Sequence, residues 1–302
     1  MVILMNWSRR IALFSFATAC ALAQAPKVGS IFDSGLAGSL LAADTPPVSI
    51  TAAIASEGWG TNTNFASGSW VEIKGTNLTQ IPFLVWNVPN DFTNNVAPTS
   101  LGGVSVFING KSAFVYYISP TQIGVEVPDD PQTGNVPVTV VNNGVTSNSL
   151  FAQKTAVAPG LLAVAYPPYS FFVNGKQYVE ATFGLTNHYV GTSNLVAGFP
   201  YPFDPAKPGD TIFLYGIGFG ATNPPLPAGT LATVADKLVA PVTISFDSTP
   251  VTNISYAGHY PTYTGLYLFA LTVPDVPAGD HQINVTLGGQ PVPQTVYLTT
   301  TR

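Results

Sequence analysis

The chain has 302 residues, of which 46% are hydrophobic and only 8% are charged, with a formal net charge of −5. No apolar run reaches the roughly 20 residues that a membrane helix needs, and prolines and glycines punctuate the whole chain. Short runs rich in Val, Ile, Thr, Tyr and Phe lie between turn-forming residues, which indicates an all-β protein and argues against both a membrane span and intrinsic disorder.

The N-terminus predicts an export signal over residues 1–23. Arg9 and Arg10 precede a mostly apolar stretch, and a small-x-small site before Gln24 predicts cleavage. A buried first helix is the alternative, but the three features occur in the order that a signal requires. Cys20, the only cysteine, lies in a poor match to a lipoprotein site. We therefore expect cleavage, a secreted or cell-surface location and a mature chain without disulfides.

The charge of the mature chain restricts its partners. Removing Arg9 and Arg10 leaves 8 basic against 15 acidic residues, a formal charge of −7. Nucleic-acid binding needs a basic footprint, so we expect no nucleic-acid partner. The sequence also has no polybasic patch for an anionic membrane surface. Residues 24–45 are expected to form a flexible leader before the first folded domain.

Three strand-like blocks recur in the same order in the two halves of the chain. In the first half, Val104, Val106 and Ile108 alternate with more polar residues as one face of a strand, and Asn109-Gly110 then predicts a hairpin turn. The recurring blocks are 69–75 with 210–216 at an offset of 141, 104–108 with 242–246 at 138, and 121–130 with 268–277, in which Pro128 matches Pro274 at 146. The repeat predicts two tandem immunoglobulin-like β-sandwiches, domain 1 over 46–165 and domain 2 over 205–302.

Residues 166–204 separate the two predicted domains and are rich in aromatic residues and proline. Val173-Asn174-Gly175-Lys176 has the composition of a hairpin tip. We therefore expect an aromatic β-ribbon that connects the two sandwiches.

The glycine-rich stretch 216–220 (GIGFG) poses the question of a phosphate site. Its glycines alternate, so they lack the spacing of a dinucleotide fingerprint, and Pro224-Pro225 follows where such a site needs a helix N-terminus. We interpret these glycines as a sharp bend at a strand end. No cofactor is expected.

The titratable residues show no catalytic or metal-binding spacing. We expect solvated loop positions for the three histidines, His188, His259 and His281. Four aspartates near turns are candidates for calcium ligands or, as we favour, for turn caps: Asp129, Asp130, Asp275 and Asp280. Neither catalytic residues nor a metal site is assigned.

Aromatic residues supply the candidate ligand-binding positions. Packing accounts for most of them, since aromatic side chains bury large areas, and Trp70 is expected to face the core or a sheet edge. Trp86 lies in a loop between strand blocks and is the best candidate for exposure, so Trp86→Ala should leave the melting temperature nearly unchanged. Tyr260 and Tyr263 lie in an insertion of the second half and are the other candidates.

Several of these stretches resemble a known family. PGDTIFLYGIGFG followed by NPPLPAG, and GSWVEIKGTNL followed by PTSLGGVSVFINGKSAFVYYISPTQIGVEVP, are similar to uncharacterised secreted bacterial proteins with tandem TIG-type immunoglobulin-like repeats. The resemblance covers about residues 46–300. It implies a fold and export, and it implies no catalytic residues.

Three functions are compatible with these observations. The first is an exported, non-catalytic immunoglobulin-like protein that acts in binding, adhesion or scaffolding, with a polysaccharide or a cell-surface protein as its partner. The second is a carbohydrate-binding module, which an aromatic row on one exposed face would support. The third is a hydrolase with an unrecognised carboxylate pair, which a cleft with two converging acids would support. A closed pair of sandwiches would support the first.

Overall fold

The computed structural model describes residues 47–56, 63–164 and 172–302. The predicted signal and leader, residues 1–45, lie outside the described residues. The described residues contain strands, turns and bends but no helix, so the predicted all-β fold class is confirmed. Accordingly, this part of the chain contains no apolar helix long enough to cross a bilayer.

The first sandwich is built from two antiparallel sheets. Its strands are β1 (Ser49–Ala55), β2 (Trp70–Thr76), β3 (Leu84–Val85), β4 (Val104–Ile108), β5 (Lys111–Ser112), β6 (Phe114–Ile118), β7 (Gln122–Glu126), β8 (Gly134–Asn142), β9 (Val145–Thr146) and β10 (Leu150–Lys154). One sheet has the order β1-β2-β7-β6-β3, and the other has the order β10-β8-β4-β5 with β9 beside β8. Val104, Val106 and Ile108 all face the core, as their alternation predicts.

The second sandwich follows from residue 160. Its strands are β11 (Gly160–Leu161), β12 (Ala181–Thr182), β13 (Tyr189–Val190), β14 (Phe203–Asp204), β15 (Thr211–Ile217), β16 (Thr222–Asn223), β17 (Lys237–Leu238), β18 (Val242–Phe246), β19 (Thr249–Pro250), β20 (Ile254–His259), β21 (Tyr267–Thr272), β22 (Gly279–Leu287), β23 (Gln290–Pro291) and β24 (Val296–Thr300). One sheet has the order β14-β13-β12-β15-β21-β20, with β11 beside β15. The other has the order β19-β18-β22-β23, with β24 beside β22, and β16 pairs with β17.

The two sandwiches share one topology. The order β2-β7-β6 in the first corresponds to β15-β21-β20 in the second, and β10-β8-β4-β5 corresponds to β24-β22-β18-β19. All of these neighbours pair antiparallel. The strand blocks that recur in the sequence are therefore corresponding strands of a duplicated β-sandwich.

The segment expected to be a connecting ribbon has a different place in the fold. Its predicted hairpin tip is present, with Asn174 and Gly175 at φ angles of 51° and 77° and a bridge between Val173 and Lys176. However, β12, β13 and β14 extend the sheet of β15, so this segment adds strands to the second sandwich. The exact domain limits at 165 and 205 stay predictions.

Candidate functional site at the junction of the two sandwiches

The junction is formed by strands that are buried on both faces. In β2, Val71 and Ile73 face the core of the first sandwich, whereas Trp70 faces the second sandwich. In β15, Leu214 faces its own core, and Tyr215 faces the first sandwich. Each sheet therefore covers the outer face of the other, which explains why β15 has Phe213 and Tyr215 where a half-exposed strand has polar residues.

An aromatic cluster lies between these two sheets. Its buried members are Trp70, Trp86, Ala97, Tyr116 and Tyr117 from the first sandwich and Tyr215, Ile217, Tyr260, Leu266 and Leu268 from the second. The ring centroids of Trp70 and Tyr116 lie 5.1 Å apart, those of Trp86 and Tyr116 lie 4.9 Å apart, and those of Tyr215 and Tyr260 lie 5.8 Å apart. These separations are typical of tilted and edge-on aromatic contacts in a packed interior.

This cluster accounts for the three residues that the sequence proposed as ligand-binding. The expected exposure of Trp86 is wrong, because its side chain packs against Tyr116 and Phe92 and is only 4% exposed. Tyr260 is buried and Tyr263 is half-buried against it, with centroids 4.8 Å apart. Their ligand-binding role stays a prediction, but they do not form a row on one exposed face. Trp86→Ala should consequently lower the melting temperature.

A buried hydrogen-bond network crosses the same junction. The indole nitrogen of Trp70 donates to the carbonyl oxygen of Thr264 at 3.1 Å. The Thr264 hydroxyl donates to Oε2 of Glu126 at 2.5 Å, and the amide of Gly229 donates to Oε1 at 2.8 Å. Glu126 is 1% exposed, and burial raises its pKa to about 8, so its carboxyl group is largely protonated at neutral pH.

The glycine bend in 216–220 brings its backbone close to the backbone of the segment that precedes β11. Gly218 has a φ of +73°, and a Cβ at this position would lie 1.9 Å from the carbonyl oxygen of Ala158. The amide of Ala158 in turn donates to the carbonyl oxygen of Gly218 at 3.0 Å. The short strand β16 follows this bend, not a helix. These glycines therefore serve a close backbone approach, as the bend interpretation requires.

A cleft of about 360 Å³ opens at the edge of the junction. Glu126 and Asp129 of the first sandwich line it together with His259 and Tyr267 of the second. The loop 225–228 supplies a proline- and leucine-containing wall. The amide of Ala228 donates to Oδ2 of Asp129 at 3.0 Å, so this loop is held against the first sandwich.

The histidines differ from the expected solvated loop positions. His259 is buried, and its Nδ1 lies 2.6 Å from Oδ2 of Asp236. His281 is also buried, with Nδ1 2.7 Å from Asp247. The expectation is therefore wrong for these two residues, because each shares a hydrogen bond with an aspartate that lies far from it in sequence. His188 is partly exposed and pairs with Asp204.

The aspartates of the 129–130 turn face lysines. The ammonium of Lys154, which is buried, donates to the carbonyl oxygens of Asp130 and Gln132 at 2.6 and 3.0 Å. Lys111 lies 3.5 Å from the Asp130 carboxylate. Asp130 also caps its own turn, as favoured from the sequence, by accepting from the amide of Gln132. Within the described ranges, no group of three or more His, Cys, Asp or Glu residues is arranged to hold a metal ion.

Comparison with protein families confirms the TIG-type resemblance. Residues 60–155 match the model of the IPT/TIG domain, a range that contains all of the first sandwich except β1. The second sandwich is related to the first by its topology. No curated protein matches the sequence.

The solved structures that match this chain include three of which it covers only part. The gamma-CGTase from Alkalophilic bacillus clarkii is 12% identical with a TM-score of 0.26, over 85% of this chain and 26% of that one. SGBP-B of the Bacteroides ovatus mixed-linkage glucan utilization locus, in complex with a mixed-linkage heptasaccharide, is 12% identical with a TM-score of 0.34, over 82% and 44%. The surface glycan-binding protein of Prevotella bryantii is 11% identical with a TM-score of 0.23, over 82% and 41%. This chain thus spans less than half of each of them, and likenesses at this level assign it no function.

Proposed function

We propose that this protein is an exported, non-catalytic pair of immunoglobulin-like modules that acts outside the cell in binding or scaffolding. The closed junction is the observation that carries the proposal. Because a buried aromatic cluster and the Trp70–Thr264–Glu126 hydrogen bonds join the sandwiches, the two modules present their outer surfaces in one fixed arrangement. A fixed spacing between surfaces is what a scaffold or an adhesive module needs.

The export signal supports the extracellular part of the proposal, and the absence of cysteine from the mature chain is compatible with it. The order of charge, apolar stretch and cleavage site in residues 1–23 is that of an export signal. The mature chain contains no cysteine, so its stability comes from apolar burial and sheet hydrogen bonds, which do not depend on the redox state of the compartment. A polysaccharide or a cell-surface protein is the proposed class of partner.

The hydrolase alternative has less support, although two acids line the cleft. Glu126 uses both of its carboxyl oxygens, one for Gly229 and one for Thr264, and it is almost fully buried. Asp129 is exposed and accepts from the amide of Ala228. Both acids therefore hold the second sandwich against the first, whereas a glycosidase pair must face the substrate from two sides.

The full chain with a C-terminal tag, expressed in a bacterial host, tests this proposal. We expect the tag to be found outside the cytoplasm on a chain that begins at Gln24. The purified mature protein should sediment with cell-wall material or an insoluble polysaccharide and release no reducing sugar from it. A chain that stays uncleaved in the cytoplasm, or one that hydrolyses the polysaccharide, would contradict the proposal.

Small-angle scattering tests the rigidity of the module pair. The wild-type curve should fit a single arrangement of the two sandwiches. Trp70→Ala removes an anchor of the junction and should increase the radius of gyration, whereas Phe151→Ala, at an exposed position on β10, should leave it unchanged. A wild-type curve that requires an ensemble of arrangements would remove the main support for a scaffold.

A further inference from the structure

We propose that the cleft at the edge of the junction binds a small, neutral, hydroxyl-rich ligand of about one or two sugar rings, with Nε2 of His259 as one of its hydrogen-bonding groups. This inference goes beyond the proposed function, because a rigid module pair can act through its outer surfaces whether or not the cleft is occupied. It does not use Trp86, Tyr260 or Tyr263.

His259 has one ring nitrogen committed to the protein and one directed to the cleft. Asp236 accepts from the backbone amide of His259 at 2.7 Å and from Nδ1 at 2.6 Å. Burial alone would raise the pKa of Asp236, but the hydrogen bonds from His259 hold it below its usual value, so Asp236 is a carboxylate. A carboxylate only accepts, so Nδ1 of His259 carries the proton of this hydrogen bond, and Nε2 is the ring nitrogen that remains for a ligand.

Nε2 of His259 makes no hydrogen bond within the described part of the chain. This nitrogen is not fully buried, because it does not belong to the fully buried side-chain atoms that lack a partner in this part of the chain. His259 itself lines the cleft. Nε2 is therefore the polar atom through which this side chain, only 7% exposed, reaches the cleft. A buried polar group that meets open space in this way has the geometry of a binding group.

His281 shows how a purely structural histidine is satisfied in the same protein. It is buried to the same extent as His259, and its Nδ1 also contacts an aspartate, Asp247. Its Nε2, however, is hydrogen-bonded to the carbonyl oxygen of Pro277 at 2.8 Å and to the Thr300 hydroxyl at 3.0 Å. The open Nε2 thus distinguishes His259 from the other buried histidine that pairs with an aspartate, although Asp247 is exposed and Asp236 is buried.

The His259 ring is held in place from several sides. Tyr267 stacks on it with centroids 4.4 Å apart, and the Tyr267 hydroxyl donates to the carbonyl oxygen of Gly220. The Thr222 hydroxyl lies 3.4 Å from Nδ1. Because the ring cannot turn away without losing these contacts, Nε2 is preorganised toward the cleft, which lowers the entropic cost of binding.

The lining of the cleft defines the ligand. The Asp129 carboxylate accepts hydrogen bonds, and Nε2 of His259 is a second hydrogen-bonding group, so hydroxyl groups, which both donate and accept, suit the two of them. The negative charges of Asp129 and of the nearby Asp236 would repel an anion. The lining contains no lysine or arginine to offset them, so the cleft disfavours anionic ligands. The loop 225–228 offers a proline and leucine wall for the apolar face of a ring. A volume of about 360 Å³ is at the small end of ligand sites.

NMR titration of the full mature protein with glucose and maltose tests the site, with the ¹⁵N shift of His259 Nε2 as the readout. We expect saturable shifts for at least one of the two sugars. Ala221→Trp places a large side chain at an exposed position of the cleft lining without altering the Asp236–His259 pair. It should weaken the response by about tenfold or more, and the matched Ala278→Trp, exposed outside the cleft, should leave it unchanged.

Three outcomes would overturn the inference: no saturable shift with either sugar, an Ala221→Trp protein that responds like wild type, or equal losses in both tryptophan variants. Sedimentation of Ala221→Trp with cell-wall material separates this inference from the proposed function. Retained sedimentation with lost sugar response supports both. A wild-type protein that responds to sugar but does not sediment removes the proposed function and keeps the cleft.

Discussion

The indole nitrogen of Trp70 lies 3.1 Å from the carbonyl oxygen of Thr264, and this hydrogen bond joins a strand of the first sandwich to a loop of the second. Both residues are buried, so neither group has water as an alternative partner. The residues are 194 positions apart in the chain, and the bond exists only when both sandwiches are folded and docked.

Trp70→Phe should destabilise the protein by about 2 kcal/mol, because it leaves the buried carbonyl of Thr264 unpaired and removes part of the packed ring. Urea unfolding of the two proteins measures the change. Trp86→Phe is the control, since Trp86 lies in the same cluster but its indole nitrogen makes no hydrogen bond within the described residues. Equal losses in both variants would show that the hydrogen bond contributes nothing beyond ring volume.

The buried carboxyl of Glu126 makes stability depend on pH. Its folded pKa of about 8 lies above the ordinary value of 4.5, so the folded state binds more protons between these values. The contribution of the Glu126 carboxyl group to stability is therefore complete when the pH is below the ordinary pKa of 4.5, and it is lost as the pH rises through about 8. At roughly 1.4 kcal/mol per pKa unit, the free energy of unfolding should fall by a few kcal/mol between about pH 5 and pH 9.

Glu126→Gln tests the origin of this pH dependence. The amide cannot titrate, and its oxygen can still accept from Gly229. Unfolding free energies measured across the same pH range should be flatter for the variant than for wild type. Glu72, whose pKa burial also raises, contributes a slope of the same sign in both proteins, so only the difference between them reports on Glu126. Parallel curves would assign the slope elsewhere.

Gly218→Ala should destabilise by roughly 3 kcal/mol or more, since the new Cβ would overlap the carbonyl oxygen of Ala158 and push the junction apart. Gly110→Ala is a matched control with nearly the same φ, +74° against +73°, but with open space around its Cβ position. It should cost only the left-handed backbone strain of about 1 kcal/mol. Thermal unfolding of the two variants compares them directly, and similar losses would rule out the close approach as the reason for Gly218.

Val106→Asp should destabilise the first sandwich by roughly 4 kcal/mol, because β4 points this side chain into the core and an unpaired carboxylate would be buried. Ser105→Asp, on the opposite face of the same strand, should cost less than about 1 kcal/mol. Circular dichroism melts distinguish the two. A Val106→Asp protein that melts like wild type would contradict the assigned strand face.

Local patterns in the sequence were sufficient for the strands and turns. The alternation of Val104, Val106 and Ile108 predicts one buried face, and the structure buries all three. Asn109-Gly110 predicts a hairpin turn, and both residues have positive φ there. These predictions succeed because side-chain alternation and backbone preference are properties of neighbouring residues.

The junction and its cleft could not be predicted in the same way. The sequence alone predicts an exposed Trp86 and a solvated His259, because nothing near them in sequence covers them. The strand Tyr267–Thr272 does carry a signal, since it lacks polar alternation and is buried on both faces. That signal indicates that a second layer exists but does not identify it.

The sequence by itself therefore determined an all-β chain with two copies of one sandwich and a glycine bend in place of a phosphate loop, because short-range periodicity and turn chemistry encode these features. Only the tertiary structure decided that Trp70, Glu126 and Thr264 meet, and that His259 is held by Asp236 with its second nitrogen open to a cleft. The physical reason is that each of these contacts joins residues far apart in the chain. The packing of whole sheets determines which residues meet, and a local sequence pattern does not predict it.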